Sequence, residues 1–175
     1  MGRKLYQNKY YTGSLRLPDW DYADDGDYFI TIRTKDKGNI LGKIIDGKMI
    51  SNSIGMIAME YMNEIPEHFQ HVILHERIVM PDHVHMLLEI NKRKCIKSCD
   101  VEPHHGLSLQ INRPHRGSIS IVVNQFKGSV KRYCNKHQIK FSWQSKFYDR
   151  IIRDELEFES TRIYIRNNPK NSSHN

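Results

Sequence analysis

The chain has 175 residues, of which 38% are hydrophobic and 27% are charged, an ordinary composition for one globular domain. Lysine and arginine number 27 against 20 aspartate and glutamate residues, so the formal net charge is +7. This balance favours a polyanionic partner, with nucleic acid first. No apolar stretch approaches the ~20 residues that span a bilayer, and the N-terminus lacks the apolar core of a signal peptide. We therefore expect a cytoplasmic protein without a membrane partner.

The first part of the chain predicts an extended arm followed by a β-hairpin. Residues 1–27 are polar and rich in aromatic side chains, which predicts an extended N-terminal arm. Residues 28–34 alternate between apolar and polar side chains and predict the first strand. Residues 40–46 can return as the second strand of the hairpin, and Asp46-Gly47 is a turn signal.

A helix and another strand follow this hairpin. Ser51 and Ser53 are candidate N-caps, and apolar residues recur at helical spacing until about Ile65. Residues 71–79 predict a strand. Pro81-Asp82 then turns the chain into a second strand, so we expect the two strands to form an antiparallel pair.

The strand after this turn is the most informative segment of the sequence. It lies in IVMPDHVHMLLEI and is almost continuously apolar from Val84 onward, yet it contains His83 and His85. Alternate residues of a strand share a face, so both histidines point to the side of Leu87 and Glu89. Two such imidazoles can hold one divalent ion; the alternative is a pair of hydrogen-bonded polar side chains on a sheet face. Neutral imidazoles favour zinc, copper or nickel, whereas Mg²⁺ or Mn²⁺ would need oxygen ligands too.

The second half of the chain predicts a loop, two helices and one strand. Residues 91–117 have no periodicity and predict a variable basic loop, and Ser118 starts a helix. Residues 147–153 predict a short strand. Asp154 and Glu157 resemble a capping box for a last helix that we expect to end near Asn167, before Pro169. The order of elements predicts an α+β fold: a ferredoxin-like split βαβ with an antiparallel sheet plus a C-terminal helix, in a single domain over 1–175.

Tyr164 is the second residue that bears on function. It lies near the polar end of the last helix, where a tyrosine is often a core residue with a hydrated hydroxyl. Asn168 lies four residues further on, so both side chains can share a helical face. Its oxygen could then serve whatever Tyr164 touches, and Asn167 competes for that role.

The remaining candidates are contacts to a nucleic acid and a second metal site. Basic residues outside the apolar stripes, together with one aromatic ring, are candidate DNA contacts: Lys92, Arg93, Lys94, Lys127, Lys131, Arg132 and Trp143. Trp143 is read equally well as a core residue. The segment CIKSCDVEPHH, residues 95–105, offers cysteines and histidines for zinc at a possible C-x3-C spacing, but it has poor periodicity and its adjacent histidines make awkward co-ligands.

The chain resembles a known family. LPDWDYADDGDYFITIRT looks like the opening strand of the single-tyrosine HUH transposases, and within them of the REP-associated tyrosine transposase-like proteins. MPDHVHMLLEI looks like the strand with the HUH motif, and ISIVVNQFKGSVKRY looks like the second helix. WQSKFYDRIIRDELEFESTRIYIRNNP looks like the closing segment, in which the nucleophilic tyrosine is Tyr164. The resemblance covers roughly Leu17 to Pro169, with the loop at 93–116 as a variable insertion.

The resemblance implies a DNA strand transferase that acts through a 5′-phosphotyrosine intermediate. A divalent metal, Mg²⁺ or Mn²⁺, would be held by His83 and His85, with Asn168 as the third ligand suggested by helical spacing. The substrate would be single-stranded DNA with an adjacent hairpin, and the sequence is compatible with a homodimer. One alternative is a domesticated protein that binds hairpin or single-stranded DNA without cutting it. Another is an unrelated metal-dependent hydrolase, for which only Asp82 and Glu89 lie near the histidines in sequence.

Overall fold

The computed structural model describes residues 22–93 and 118–171, together with two short strands near the N-terminus. These are β1 (Leu5–Tyr6) and β2 (Tyr10–Tyr11), which pair antiparallel. The other strands are β3 (Gly26–Arg33), β4 (Gly42–Ile45), β5 (Lys48–Ser51), β6 (Val72–Val79), β7 (His83–Ile90) and β8 (Tyr148–Ile152). The helices are α1 (Ser53–Asn63), α2 (Ile65–His68), α3 (Ile119–Lys136) and α4 (Glu155–Asn171).

The central sheet has four strands in the order β6-β7-β3-β8, and every neighbouring pair is antiparallel. The two inner strands, β3 and β7, are separated in sequence by α1, α2 and the edge strand β6. The other edge strand, β8, follows α3. This is the ferredoxin-like arrangement of a split βαβ unit, so the predicted fold class is confirmed.

The two faces of this sheet bury different layers. On one face, Tyr28, Ile30 and Ile32 of β3 pack in the main core with residues of α1 and α3. On the other face, Phe29 and Leu87 form a smaller cluster with Ile152 and with Ile165 of α4. Because side chains alternate along a strand, the residues of β3 and β7 between the core positions all point towards α4.

The pairing of β3 with β7 fixes which residues meet on the α4 side. Arg33 lies opposite His83, Thr31 opposite His85, and Phe29 opposite Leu87. On the outer edge, Tyr148 lies opposite Thr31 in the pairing of β3 with β8. The α4 face therefore presents rows of side chains that run across the sheet.

The predicted hairpin partner of the first strand was wrong. Residues 42–45 pair with β5 and form a separate two-stranded sheet, rather than returning alongside β3. Asp46 and Gly47 form its turn, with φ of 48° and 69°, the conformation that two-residue hairpins favour. The turn signal was therefore correct, but it joins β4 to the strand that follows it.

Two helix boundaries also differ from the expectation. The N-cap of α1 is Asn52, whose side-chain oxygen accepts a hydrogen bond from Gly55 N at 3.0 Å, rather than Ser51 or Ser53. Helix α4 continues through Pro169 to Asn171. Pro169 therefore lies inside the helix, where it cannot donate a backbone hydrogen bond to the carbonyl of Ile165.

Parts of the predicted organisation lie outside the described residues. These are most of the arm at 1–27, the basic loop from residue 94 to 117, and the cysteine and histidine segment at 95–105. Among the residues that are described, no helix is both long enough and apolar enough to cross a membrane.

Candidate active site

The two histidines stand at the start of β7, next to a turn that the backbone holds firmly. Leu41 N donates to Pro81 O at 2.8 Å, and Thr34 N donates to Asp82 O at 2.9 Å. Met80 N closes the turn by donating to His83 O at 2.8 Å. The entry into the histidine strand is therefore fixed by backbone bonds from two other segments.

The two imidazole rings converge through their Nε2 atoms, which are 3.0 Å apart. The Nδ1 atom of His83 lies 2.6 Å from Oδ1 of Asp82, and that of His85 lies 2.8 Å from Oγ1 of Thr31. Each Nδ1 thus has its own partner, and both Nε2 atoms are directed to a shared point. Metal-binding histidines are held in this way, with the second nitrogen engaged by a carboxylate or another oxygen.

This donor set fits a divalent ion. Metal–imidazole bonds are about 2.0–2.1 Å long, so one ion can contact two Nε2 atoms that are 3.0 Å apart. The sequence did not indicate Thr31 as a partner of His85, because that contact depends on the register between β3 and β7. Asp82 carried a weak signal, since it directly precedes His83.

His85 is held in its neutral form. Only 4% of the residue is exposed. Burial lowers its pKa to about 3, and the nearby positive charges of His83 and Arg33 act in the same direction. Neutral imidazole is the form that binds metals, so His85 is available as a ligand at neutral pH.

Helix α4 brings Tyr164 to this pair. The ring of Tyr164 lies 5.6 Å from the ring of His85 and 6.0 Å from the ring of Phe29, in both cases near edge-on. The residue is 47% exposed, whereas its neighbour Ile165 is fully buried against Leu87. Helix α4 therefore lies across the histidine face of the sheet and covers Leu87.

Asn168 lies on the inward side of the same helix. It shares a buried row with Thr161 and Ile165, and only 5% of it is exposed. Asn167 is more exposed than Asn168. Burial of an amide on the sheet side is compatible with a ligand role for Asn168, which stays a prediction.

A second group of side chains that could hold a metal ion lies at the other end of the same face. The ligand atoms of Asp27, His75 and Glu89 are within 4.8 Å of one another. His75 Nε2 is 2.8 Å from Glu89 Oε2, while Asp27 lies opposite Glu89 across β3 and β7. Burial raises the pKa of Asp27, and the charge of Glu89 adds to this effect. Glu89 is thus paired with His75 and not with His83 or His85. One of the two carboxylates on which the hydrolase alternative depends is therefore not beside the histidine pair.

Several predicted DNA contacts have other partners in the structure. Helix α3 packs on the face opposite to the histidines. Lys127 Nζ donates to the backbone oxygens of Gln144 and Ser145 at 2.7 and 3.0 Å, and Lys131 Nζ donates to Phe141 O. Arg132 is exposed and donates to Ser129 Oγ at 2.9 Å. Lys127 and Lys131 thus hold the segment before β8 in place, and their role in DNA binding stays a prediction.

Trp143 is a core residue in the structure. It is 8% exposed and packs against Phe126 and Phe141, with ring centroids 5.7 and 4.9 Å away. A side chain this buried has little surface left for stacking on bases, and that role stays a prediction.

The basic residues after β7 lie away from the histidines. Lys92 and Arg93 follow the far end of that strand, and Lys92 Nζ is 3.3 Å from Asp24 Oδ1. Lys94 lies outside the described residues. Their contacts with DNA likewise stay predictions.

The chain is similar to two proteins that bear on its classification. No family model matches the sequence. An uncharacterised protein of Haemophilus influenzae (strain ATCC 51907 / DSM 11121 / KW20 / Rd) is 34% identical over 163 residues, which is 89% of this chain and 87% of that protein. A solved structure of a REP-associated tyrosine transposase bound to a REP hairpin superposes with a TM-score of 0.59. It is 14% identical, and the match covers 92% of this chain and 74% of that one. The chain therefore belongs to the same family as the Haemophilus influenzae protein, and its fold is that of a REP-associated tyrosine transposase.

Proposed function

We propose that the protein is a transposase-like DNA strand transferase that cuts and rejoins single-stranded or hairpin DNA. Tyr164 is the proposed nucleophile, and His83 and His85 are the proposed ligands of a divalent metal ion, Mg²⁺ or Mn²⁺. The observation that carries this proposal is the meeting of three side chains. The Nε2 atoms of the histidines converge at 3.0 Å, and the half-exposed ring of Tyr164 lies beside His85.

Two further observations support this assignment. The fold is shared with a protein whose structure was solved with a REP hairpin. The net charge of +7 favours a polyanionic substrate.

The reaction exchanges one phosphodiester for another. The Oη atom of Tyr164 attacks the phosphorus, a bond forms between Oη and phosphorus, and the bond from phosphorus to the 3′ oxygen breaks. Oη loses one proton and the leaving 3′ oxygen gains one, so charge and electrons balance. The 5′-phosphotyrosine keeps the bond energy, and a 3′-hydroxyl can reverse the step without a nucleotide cofactor.

The residues around Tyr164 each have a task in this scheme. A divalent ion held by His83 and His85, with Asn168 as third ligand, would supply Lewis acidity at the phosphate. Asp82 and Thr31 hold the two imidazoles in the orientation that directs both Nε2 atoms outward. Phe29 and Ile165 fix α4 against the sheet and so fix the distance from Tyr164 to the histidines.

The proposal is tested by trapping the covalent intermediate. A pool of single-stranded oligonucleotides with a hairpin and random flanks is labelled at the 3′ end and incubated with protein and Mn²⁺ or Mg²⁺. A denaturing gel should show label on the protein, because the DNA on the 3′ side of the cut stays attached to tyrosine. Label at the 5′ end should not be transferred, and a chelator should abolish the adduct while DNA binding persists.

Three variants identify the groups responsible. Tyr164→Phe keeps the ring packing but lacks the attacking oxygen, so it should bind DNA and form no adduct. His83→Ala should also form none, while Tyr133→Phe on α3 serves as the matched control and should react normally. DNA binding without any adduct in the wild type would favour the non-cutting alternative. An adduct that persists in Tyr164→Phe would show that another tyrosine is the nucleophile.

A further inference from the structure

Two cavities open side by side along β8, next to the candidate active site. The first has a volume of about 370 Å³ and is lined by Thr31, Arg33, Gln144, Lys146, Phe147 and Tyr148. The second has a volume of about 270 Å³ and is lined by Phe29, Tyr148, Arg150, Ser160, Thr161 and Tyr164. Tyr148 belongs to both linings, so the two cavities adjoin at this residue.

The first cavity adjoins the histidine pair, and the second adjoins Tyr164. In the first, Thr31 is the residue whose hydroxyl lies 2.8 Å from His85 Nδ1, and Arg33 lies opposite His83 across the strands. In the second, Tyr164 is itself a lining residue. A DNA strand that runs past Tyr148 from one cavity to the other therefore passes first the histidine pair and then Tyr164.

The walls of the cavities suit nucleotides. Arg33 and Lys146 are exposed cations of the first cavity, and Arg150 is the exposed cation of the second. None of the described residues that line either cavity carries a carboxylate. Tyr148, which is 43% exposed and lines both cavities, and Tyr164, which is 47% exposed and lines the second, offer rings for stacking. Cations for phosphates and rings for bases are the combination by which proteins bind single-stranded nucleic acid.

Contacts with three neighbouring side chains fix the position of the Arg150 guanidinium. Its Nε lies 3.3 Å from Glu157 Oε1, one of its Nη atoms donates to Thr161 Oγ1 at 3.3 Å, and its guanidinium lies over the ring of Phe29. An arginine fixed by an acid and a ring loses less conformational entropy when it binds a phosphate.

We infer that Tyr148 stacks between two consecutive nucleotides of single-stranded DNA, one in each cavity. The phosphates of this segment contact Arg33 and Lys146 on one side and Arg150 on the other. This inference rests on the proposed function for the identity of the strand. It adds the path of that strand, and it excludes base-paired DNA at this point because the faces of paired bases are not free to stack on Tyr148.

Binding is measured apart from cleavage. Fluorescence anisotropy with a labelled oligothymidylate, in the presence of a chelator, reports affinity without any covalent step. Tyr148→Ala should weaken binding by about 5- to 100-fold, the range expected for loss of base stacking, while Tyr148→Phe should retain it. Lys146→Ala should weaken binding and lower its salt dependence, whereas Lys136→Ala, an exposed lysine on α3, should change neither.

A second measurement locates the contact directly. An oligonucleotide with 5-iodouracil in place of thymine is irradiated with the wild-type protein, and the crosslinked peptide is identified by mass spectrometry. The peptide should contain Tyr148. Wild-type affinity in both Tyr148→Ala and Lys146→Ala, crosslinks confined to other segments, or tighter binding of the matching duplex would each overturn the inference. None of these results depends on an adduct at Tyr164, so the failure of either idea can be recognised separately.

Discussion

At the scale of single residues, Asp82 controls the direction of the His83 ring. Its carboxylate accepts from Nδ1 at 2.6 Å, which leaves the Nε2 atom of His83 directed towards His85. Thr31 engages Nδ1 of His85 from the neighbouring strand. Neither residue is a proposed ligand, yet both decide where the two proposed ligands point.

Removing this carboxylate should weaken metal binding without unfolding the protein. We expect Asp82→Ala to lower the affinity for Mn²⁺ by roughly 10- to 100-fold, because partners of metal-bound histidines have effects of this size. Asp82→Asn keeps an oxygen that can accept from Nδ1 and should restore part of the loss. Calorimetric titration with Mn²⁺ measures both, and Glu67→Ala, an exposed carboxylate on α2, should leave the affinity unchanged. Equal affinities in Asp82→Ala and the wild type would contradict the role assigned to Asp82.

At the scale of elements, α4 is the part of the fold that completes the site. Its first turn is closed by two hydrogen bonds: Glu157 N donates to Asp154 Oδ1 at 2.8 Å, and Arg153 N donates to Glu157 Oε2 at 3.0 Å. The predicted cap by Asp154 is therefore confirmed, whereas Glu157 reaches back to the N–H of Arg153, one residue before the cap.

Loss of this cap should loosen the helix from its N-terminal end. Asp154→Ala should cost about 1 kcal/mol of unfolding free energy, the usual value for an N-cap carboxylate. Hydrogen exchange should show faster exchange of the amides in the first turn of α4, and thermal unfolding should report the loss. Glu159→Ala breaks an exposed ion pair with Arg162 and should cost less than half as much. If the two variants are equally stable, the cap does not support the helix.

At the scale of the whole molecule, carboxylates lie close together at the end of the sheet away from the histidine pair, and their repulsion disfavours the folded state. Asp27 and Glu89 are directly opposite across two inner strands, and Glu155 adds a further negative charge. Burial first, and then the charge of Glu89, raises the pKa of Asp27, while His75 opposes the shift. A carboxyl group whose pKa is raised by folding favours the folded state at low pH, and ionisation at higher pH costs stability.

The sign of this effect can be measured. Asp27→Asn removes the unfavourable charge, so with a chelator present it should melt at a higher temperature than the wild type at pH 7. The difference should shrink as the pH falls through the folded-state pKa of Asp27 and vanish below its ordinary value of 3.8. Melting curves of both proteins from about pH 3 to about pH 7 test this, because that range brackets the titration of the Asp27 carboxyl. A variant that is less stable at pH 7, or a difference that does not depend on pH, would disprove it.

Local patterns were enough to determine most elements of this protein. The alternation in residues 28–34, the apolar run after His83 and the capping box at Asp154 are short-range signals, and each produced the element that it predicted. The order of these elements restricts the chain to few topologies, and the split βαβ arrangement followed. The histidine pair could be recognised from the sequence because burying two polar imidazoles on one face of an apolar strand is costly unless they have binding partners.

Contacts between distant segments could be decided only by the tertiary structure. The pairing of β3 with β7 places Thr31 against His85, and nothing near Thr31 in the sequence indicates this. Burial of Trp143 and the pairing of Glu89 with His75 also depend on how α3, β6 and β7 pack. Side-chain type and spacing determine which face of an element a residue occupies, because the backbone repeat is fixed. Which residue it meets there depends on strand register and on the crossing of helices, and both are set by the packing of the whole core.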